Sequence, residues 1–128
     1  MSSRILVVDD EPDTLMLLFD LLSREGYKID VASIKQEALD KIKKRKTQLV
    51  LIDILMDEAD GRELAKEIRE THGKDEIKLI YVSVMDREKF EEKYGKGDIK
   101  ELDISDYIHK PFNNKEFLKI VEETLSRC

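Results

Sequence analysis

The sequence is poor in the residues that staple or punctuate a chain. Its one cysteine, Cys128, is the last residue. No internal disulfide can form, and a reducing compartment fits such usage. There is no tryptophan, and two prolines and five glycines are too few for a Pro- or Gly-rich linker. No apolar stretch approaches the roughly 20 residues of a membrane span. Met1-Ser2-Ser3-Arg4 leads straight into an apolar run, without the pattern of a signal peptide. A cytoplasmic protein with no membrane partner is expected. Positive charge is also in deficit: the net charge of −6 argues against a direct nucleic-acid partner, which needs a basic surface. The basic run Lys41-Ile42-Lys43-Lys44-Arg45-Lys46 keeps Ile42 in helical register with Ala38 and Leu39. It reads as a solvated helix end favoured by the macrodipole.

What is abundant is charge, at 41% against about 25% in an ordinary globular chain, alongside 41% apolar residues. The 128 residues suffice for one domain with a single core, spanning 1–128.

The most informative stretch is Leu49-Val50-Leu51-Ile52-Asp53, an uncharged apolar run ending in a carboxylate. Such a run reads as a strand buried in a parallel sheet. Asp53 then stands at the carboxyl edge, where open α/β sheets bind ligands. Ile5-Leu6-Val7-Val8 runs into Asp9-Asp10 in the same way. If the two strands are neighbours, three carboxylates converge, and their mutual repulsion makes most sense around a cation.

Strand and helix signals alternate five times. Asp10 can cap a first helix that opens at Glu11-Pro12, with Leu15, Leu18, Phe19 and Leu22 inward and Gly26 at its end. A short strand at Ile29–Ala32 precedes a helix over residues 34–44. After Asp53 an eight-residue loop containing Asp60-Gly61 leads to a third helix, ended by His72-Gly73. Leu79-Ile80-Tyr81-Val82 runs into Ser83, and a fourth helix spans Arg87–Tyr94 before Gly95-Lys96-Gly97-Asp98 breaks it. Tyr107-Ile108 is a weak fifth strand, followed by Lys110-Pro111 and a fifth helix through Phe117, Ile120, Val121 and Leu125. Five βα repeats imply a parallel sheet with helices on both faces.

Asp9-Asp10, Asp53, Ser83 and Lys110-Pro111, each at a strand end and in this order, resemble the receiver domains of two-component response regulators. The resemblance covers essentially the whole chain, and its nearest type is the single-domain chemotaxis receiver. It implies a flavodoxin-like (βα)5 fold, a doubly wound five-stranded parallel sheet of order 2-1-3-4-5. It implies Mg2+, with Mn2+ as an alternative, held by Asp10, Asp53 and the backbone carbonyl of Leu55, and by Asp9 through water. Mg2+ usually takes one or two carboxylates and keeps several waters.

Asp53 is implied as the phosphoacceptor, with Lys110 cancelling phosphoryl charge and Ser83 donating a hydrogen bond. Such a protein is no conventional enzyme but catalyses its own phosphorylation and slow dephosphorylation. Ser83 and Tyr107 match the family's switch pair, which reshapes the face made by the fourth helix, fifth strand and fifth helix. The implied partners are a histidine kinase or phosphotransfer protein and an unnamed downstream protein, the chain acting alone as a monomer or weak dimer.

Each residue also has an ordinary explanation. Asp9-Asp10 can be a turn and helix cap, Asp53 a loop cap, Lys110 a surface lysine, Ser83 a strand-end hydroxyl and Tyr107 a half-buried strand tyrosine. His72 and His109 lack partners at metal spacing and read as surface residues.

The chain departs from the family pattern in places. Asp57 replaces the usual Pro, Val84 the usual small residue, and Asp103-Ile104 the usual Gly-Ala. The segment from Ser83 to Lys110 is longer than typical. Leu55 and Met85, which flank the site, are apolar and cannot orient an attacking water, so slow dephosphorylation is expected.

The runner-up is a degenerate receiver that works as a phosphorylation-independent interaction module. A haloacid-dehalogenase-type hydrolase would want a second Asp where Leu55 stands. A flavodoxin-like cofactor binder would want a Gly- or Ser/Thr-rich phosphate loop after the first strand.

Overall fold

The strand β3 (Leu49–Asp53) is the middle of the sheet and is buried along its whole length. The computed structural model describes residues 3–56 and 61–126. Around β3 lie β1 (Arg4–Val8) and β4 (Lys78–Ser83), with β2 (Lys28–Ala32) and β5 (Ile104–His109) at the edges. All pairings are parallel and the order is β2-β1-β3-β4-β5. Strands apolar on both sides need cover on both faces, which the crossover helices supply.

Alternate side chains serve two cores. Ile5, Val7, Leu49, Leu51, Ile80 and Val82 pack under α1 (Pro12–Ser23) and α6 (Asn114–Ser126). Leu6, Val8, Val50, Ile52, Leu79 and Tyr81 pack under α2 (Lys35–Lys44), α3 (Gly61–Thr71) and α4 (Arg87–Tyr94). Among the described residues no helix is long and apolar enough to cross a membrane.

Several expectations need correction. Asp10 is not the cap of α1: Glu11 occupies the N-cap with no side-chain hydrogen bond, and Pro12 fills the first turn. Phe19 is 47% exposed, whereas Leu18 and Leu22 are buried. A step of about 100° per residue places Phe19 beside that stripe rather than on it.

The segment after α4 is not merely a break. Gly95 caps α4 with φ +86, a conformation glycine adopts without strain, and a short α5 (Gly97–Glu101) follows. Asp98 on α5 accepts from Arg62 at 3.1 Å and from the Tyr81 hydroxyl at 3.1 Å. The Arg62 guanidinium lies 3.9 Å from the centre of the Tyr94 ring. Arg69, seven residues along α3, donates to the carbonyls of Leu102 and Asp103. No local sequence pattern announces these contacts, because they join residues far apart in the chain.

The fifth strand is six residues long, not two. A register shift sets Leu79 opposite Ile104 and Ile80 opposite Asp106, so Ser105 is the extra residue of a bulge. The bulge turns Tyr107 onto the same face as Ile104, where it packs against the Tyr81–Phe90 core. Gly61, expected in the loop before the third helix, belongs to α3. Asp57 and Asp60 lie outside the described residues.

Candidate functional site

β1 and β3 are adjacent and in register through Val8 opposite Ile52, so Asp9, Asp10 and Asp53 leave the sheet side by side. One carboxylate oxygen from each lies within 4.8 Å of the others. Asp9 and Asp53 are buried, at 3% and 7% exposure, and Asp10 is half-buried.

Local turns fix the first two orientations. Asp9 Oδ1 accepts the Glu11 N–H at 3.0 Å, and Asp53 Oδ1 accepts the Leu55 N–H at 3.1 Å. These are side-chain-to-backbone turns two residues long, a common use of Asp where a chain reverses. The Gly61 N–H, at the described start of α3, donates to the Ile54 carbonyl at 2.9 Å. A Cβ on Gly61 would lie 2.3 Å from the Asp53 carbonyl oxygen, so only glycine fits.

Lys110 brings the opposite charge. Its Nζ is 2.7 Å from Asp9 Oδ2 and 3.8 Å from Asp53 Oδ2. The side chain is held at its root, where the Lys110 N–H donates to the Ser83 carbonyl at 2.8 Å.

Burial and the negative charge of Asp9 push the Asp53 carboxyl up to about 7, and Lys110 and the Leu55 N–H offset only part of that. A carboxyl so destabilised as an anion, among hard oxygen donors, is what a divalent cation relieves. The residues present fit Mg2+.

Ser83 is fully buried at the end of β4, one residue beyond the Val82 that pairs with Asp53. Its hydroxyl accepts the Met85 N–H at 3.1 Å. Tyr107 donates its hydroxyl to the Met85 carbonyl, and its ring lies 5.5 Å from that of Phe90. Burial pushes the Tyr107 phenol up, with a partial offset from the Ser83 hydroxyl. The structure thus brings together Asp9, Asp10, Asp53 and Lys110, and beside them Ser83 and Tyr107. His109 is exposed as expected, but its Nε2 lies 2.9 Å from the Val84 carbonyl. His72 contacts the Thr71 hydroxyl at 2.8 Å, remote in the chain from the site.

A groove of about 370 Å³ opens beside Lys110, lined by Glu11, Thr14, Leu17, Val84 and Phe112 among others. Leu17 and Val84 are exposed at 50% and 63%.

Comparison with known proteins agrees with this geometry. The family model described as response regulator receiver domain matches residues 5–122. The alkaline phosphatase synthesis transcriptional regulatory protein PhoP of Bacillus subtilis (strain 168) is 36% identical over 127 residues, 99% of this chain and 50% of that protein. The chain therefore spans about half the length of that curated relative.

Among solved structures, response regulator protein TrrA of Thermotoga maritima, in complex with Mg(2+)-BeF, is 34% identical with a TM-score of 0.79. The match covers 95% of this chain and 98% of that one. A CheY-like receiver domain protein from Methanospirillum hungatei JF-1 is 28% identical with a TM-score of 0.84, covering 99% and 96%. Receiver domains bind Mg2+ at an acidic pocket and interact with histidine kinases or phosphotransfer proteins. The sequence match over residues 5–122, joined to the assembled acidic edge, means that this chain belongs to the response regulator receiver domains of two-component systems.

Proposed function

We propose that Asp53 is the phosphoacceptor, and that Asp9, Asp10, Lys110 and Ser83 serve its phosphorylation. The observation that carries this reading is the placement of Asp53: buried, one oxygen tied to the Leu55 N–H, the other 3.8 Å from Lys110 Nζ. Asp53 Oδ2 attacks phosphorus, its new P–O bond forming as the bond to the donor's histidine nitrogen or acyl oxygen breaks. Lys110, now on Asp9, is within a short side-chain movement of the added phosphoryl oxygens and supplies positive charge to them.

The Ser83 hydroxyl accepts from the Met85 N–H, and its rotatable O–H can donate to a phosphoryl oxygen. Asp10, Asp53 and the Leu55 carbonyl would hold Mg2+, with Asp9 acting through water, and the cation would supply positive charge to the phosphoryl group; Mn2+ has the same oxygen preference. Ser83 and Tyr107, both tied to Met85, form the switch. Phosphorylation draws Ser83 inward and repacks Tyr107 on the face of α4, β5 and α6. The exposed Leu17 and Val84 beside Lys110 suit the apolar flank of a kinase or phosphotransfer helix. The intact carboxylate set favours this reading over a degenerate receiver.

The test is intact mass after incubation with acetyl phosphate. Gain of one phosphoryl group with Mg2+, and none with EDTA or in Asp53→Ala, is expected. Equal gain in Asp53→Ala would move the acceptor elsewhere.

A further inference from the structure

The three backbone carbonyls that leave β4 are all held from one short stretch at the end of β5. The Lys110 N–H donates to the Ser83 carbonyl at 2.8 Å, and Tyr107 donates its hydroxyl to the Met85 carbonyl. Between them, His109 Nε2 lies 2.9 Å from the Val84 carbonyl. Side-chain packing does little for the middle of this loop, because Val84 is 63% exposed. Its course therefore depends on these hydrogen bonds. The loop is also joined to the Ser83 hydroxyl at the end of β4, which accepts the Met85 N–H at 3.1 Å.

His109 stands directly opposite Ser83 in the β4–β5 ladder and shares a face of β5 with Tyr107, two residues earlier. Imidazole and phenol thus grip adjacent carbonyls of one loop. A carbonyl can only accept, so His109 must present an Nε2–H to Val84.

We propose that His109 is a positioning residue for phosphorylation of Asp53. By holding the Val84 carbonyl it keeps the loop, and with it the Ser83 hydroxyl, in the orientation that meets the incoming phosphoryl group. It acts through Ser83 and touches neither donor nor metal. This rests on the reading of Asp53 as acceptor with Ser83 beside it. Loss of one exposed hydrogen bond from the loop lowers the maximal rate of phosphorylation by about 2- to 10-fold. The donor concentration for half-maximal rate stays the same, because the donor does not meet His109.

The experiment compares the full chain with His109→Ala and His109→Gln, whose amide N–H can donate in the same direction. Rates with Mg2+ and a range of acetyl phosphate concentrations are read by intact mass. In parallel, 15N spectra of the imidazoles report which ring nitrogen of His109 carries hydrogen. The expected result is an Nε2–H tautomer in the parent, a slower maximal rate in His109→Ala, and recovery of most of it in His109→Gln. Equal rates in all three proteins, a changed half-saturation alone, or an Nδ1–H tautomer would each overturn the assignment. A parent that gains no phosphoryl group overturns the Asp53 reading instead, and the tautomer still decides whether His109 grips Val84.

Discussion

Lys110 is bound to Asp9 more closely than to Asp53: its Nζ is 2.7 Å from Asp9 Oδ2, against 3.8 Å to Asp53 Oδ2. Without a phosphoryl group the lysine neutralises a partner carboxylate, and phosphorylation gives it a stronger anion to meet. Lys110→Ala removes the cation from the phosphoryl site without removing an acidic ligand. Phosphorylation by acetyl phosphate should fall by about 100-fold or more, the scale seen when one preorganised charge-stabilising donor is lost. Mg2+ affinity, measured by calorimetry, should hold or rise. A fall in Mg2+ affinity matching the loss of rate would place Lys110 in metal binding instead.

The Asp53 carboxyl, pushed up to about 7 by burial and Asp9, is protonated in the folded, metal-free protein over a range where the unfolded chain is ionised above 3.8. Its contribution to stability is complete below 3.8 and is lost as pH rises through about 7. The metal-free parent should therefore lose thermal stability across that window relative to Asp53→Asn, which is neutral throughout. At pH 8 the variant should melt higher by several degrees, about 4 °C for each kcal/mol at this size. Saturating Mg2+ should narrow the gap by stabilising the parent more. Parallel melting curves from pH 4 to pH 8 would contradict the raised carboxyl.

Gly61 limits how the Asp53 loop can be rebuilt. A Cβ there would meet the Asp53 carbonyl oxygen at 2.3 Å, Ile52 Cγ2 at 2.7 Å and the Ile54 Cα at 2.9 Å. Gly61→Ala should cost about 1–3 kcal/mol in urea unfolding, the range for overpacking a tight core. Because the clash falls on Asp53 itself, phosphorylation should slow as well. A stable variant with the parent's rate would mean that the loop yields without moving the acceptor.

Leu55 and Met85 have no group to activate water. Leu55 is 41% exposed beside the Asp53 turn, and Met85 is half-buried next to Ser83. The aspartyl phosphate should therefore decay slowly. Leu55→Asn with Met85→Glu should speed decay by tenfold or more if the new groups orient water, a modest share of what positioned acid–base groups supply. Unchanged decay of the isolated phosphoprotein would contradict this.

The strand ends were legible because parallel strands announce themselves twice, as apolar runs and as the polar residues that stop them. Leu49–Asp53 and Ile5–Asp9 carry both signals, so the meeting of Asp9, Asp10 and Asp53 follows from adjacency alone. The sequence leaves the cap of α1 open, because Asp9 and Asp10 are both good caps by type. Asp9 instead spends its oxygens on Glu11 and Lys110. Phe19 is placed inward by spacing but lies exposed, because α1 is apolar on more than one side and periodicity alone does not centre the stripe.

The short α5 and the full length of β5 were hidden for a different reason. Arg62, Arg69 and Asp98 hold that segment through partners some 30 residues away, and the Ser105 bulge breaks the alternation that identifies a strand. His109 was readable only as a surface residue, since its partner is a backbone carbonyl and carbonyls leave no mark in a sequence.

The central claim is that Asp53 carries the phosphoryl group. Borohydride reduction of the phosphorylated protein converts an aspartyl phosphate to homoserine, and peptide mass spectrometry then locates it. Homoserine at position 53, and at none of the other aspartates, is the result expected. Homoserine at position 9 or 10 with Asp53 intact would contradict the account, because the carboxylate beside Lys110 would then have been given the wrong role.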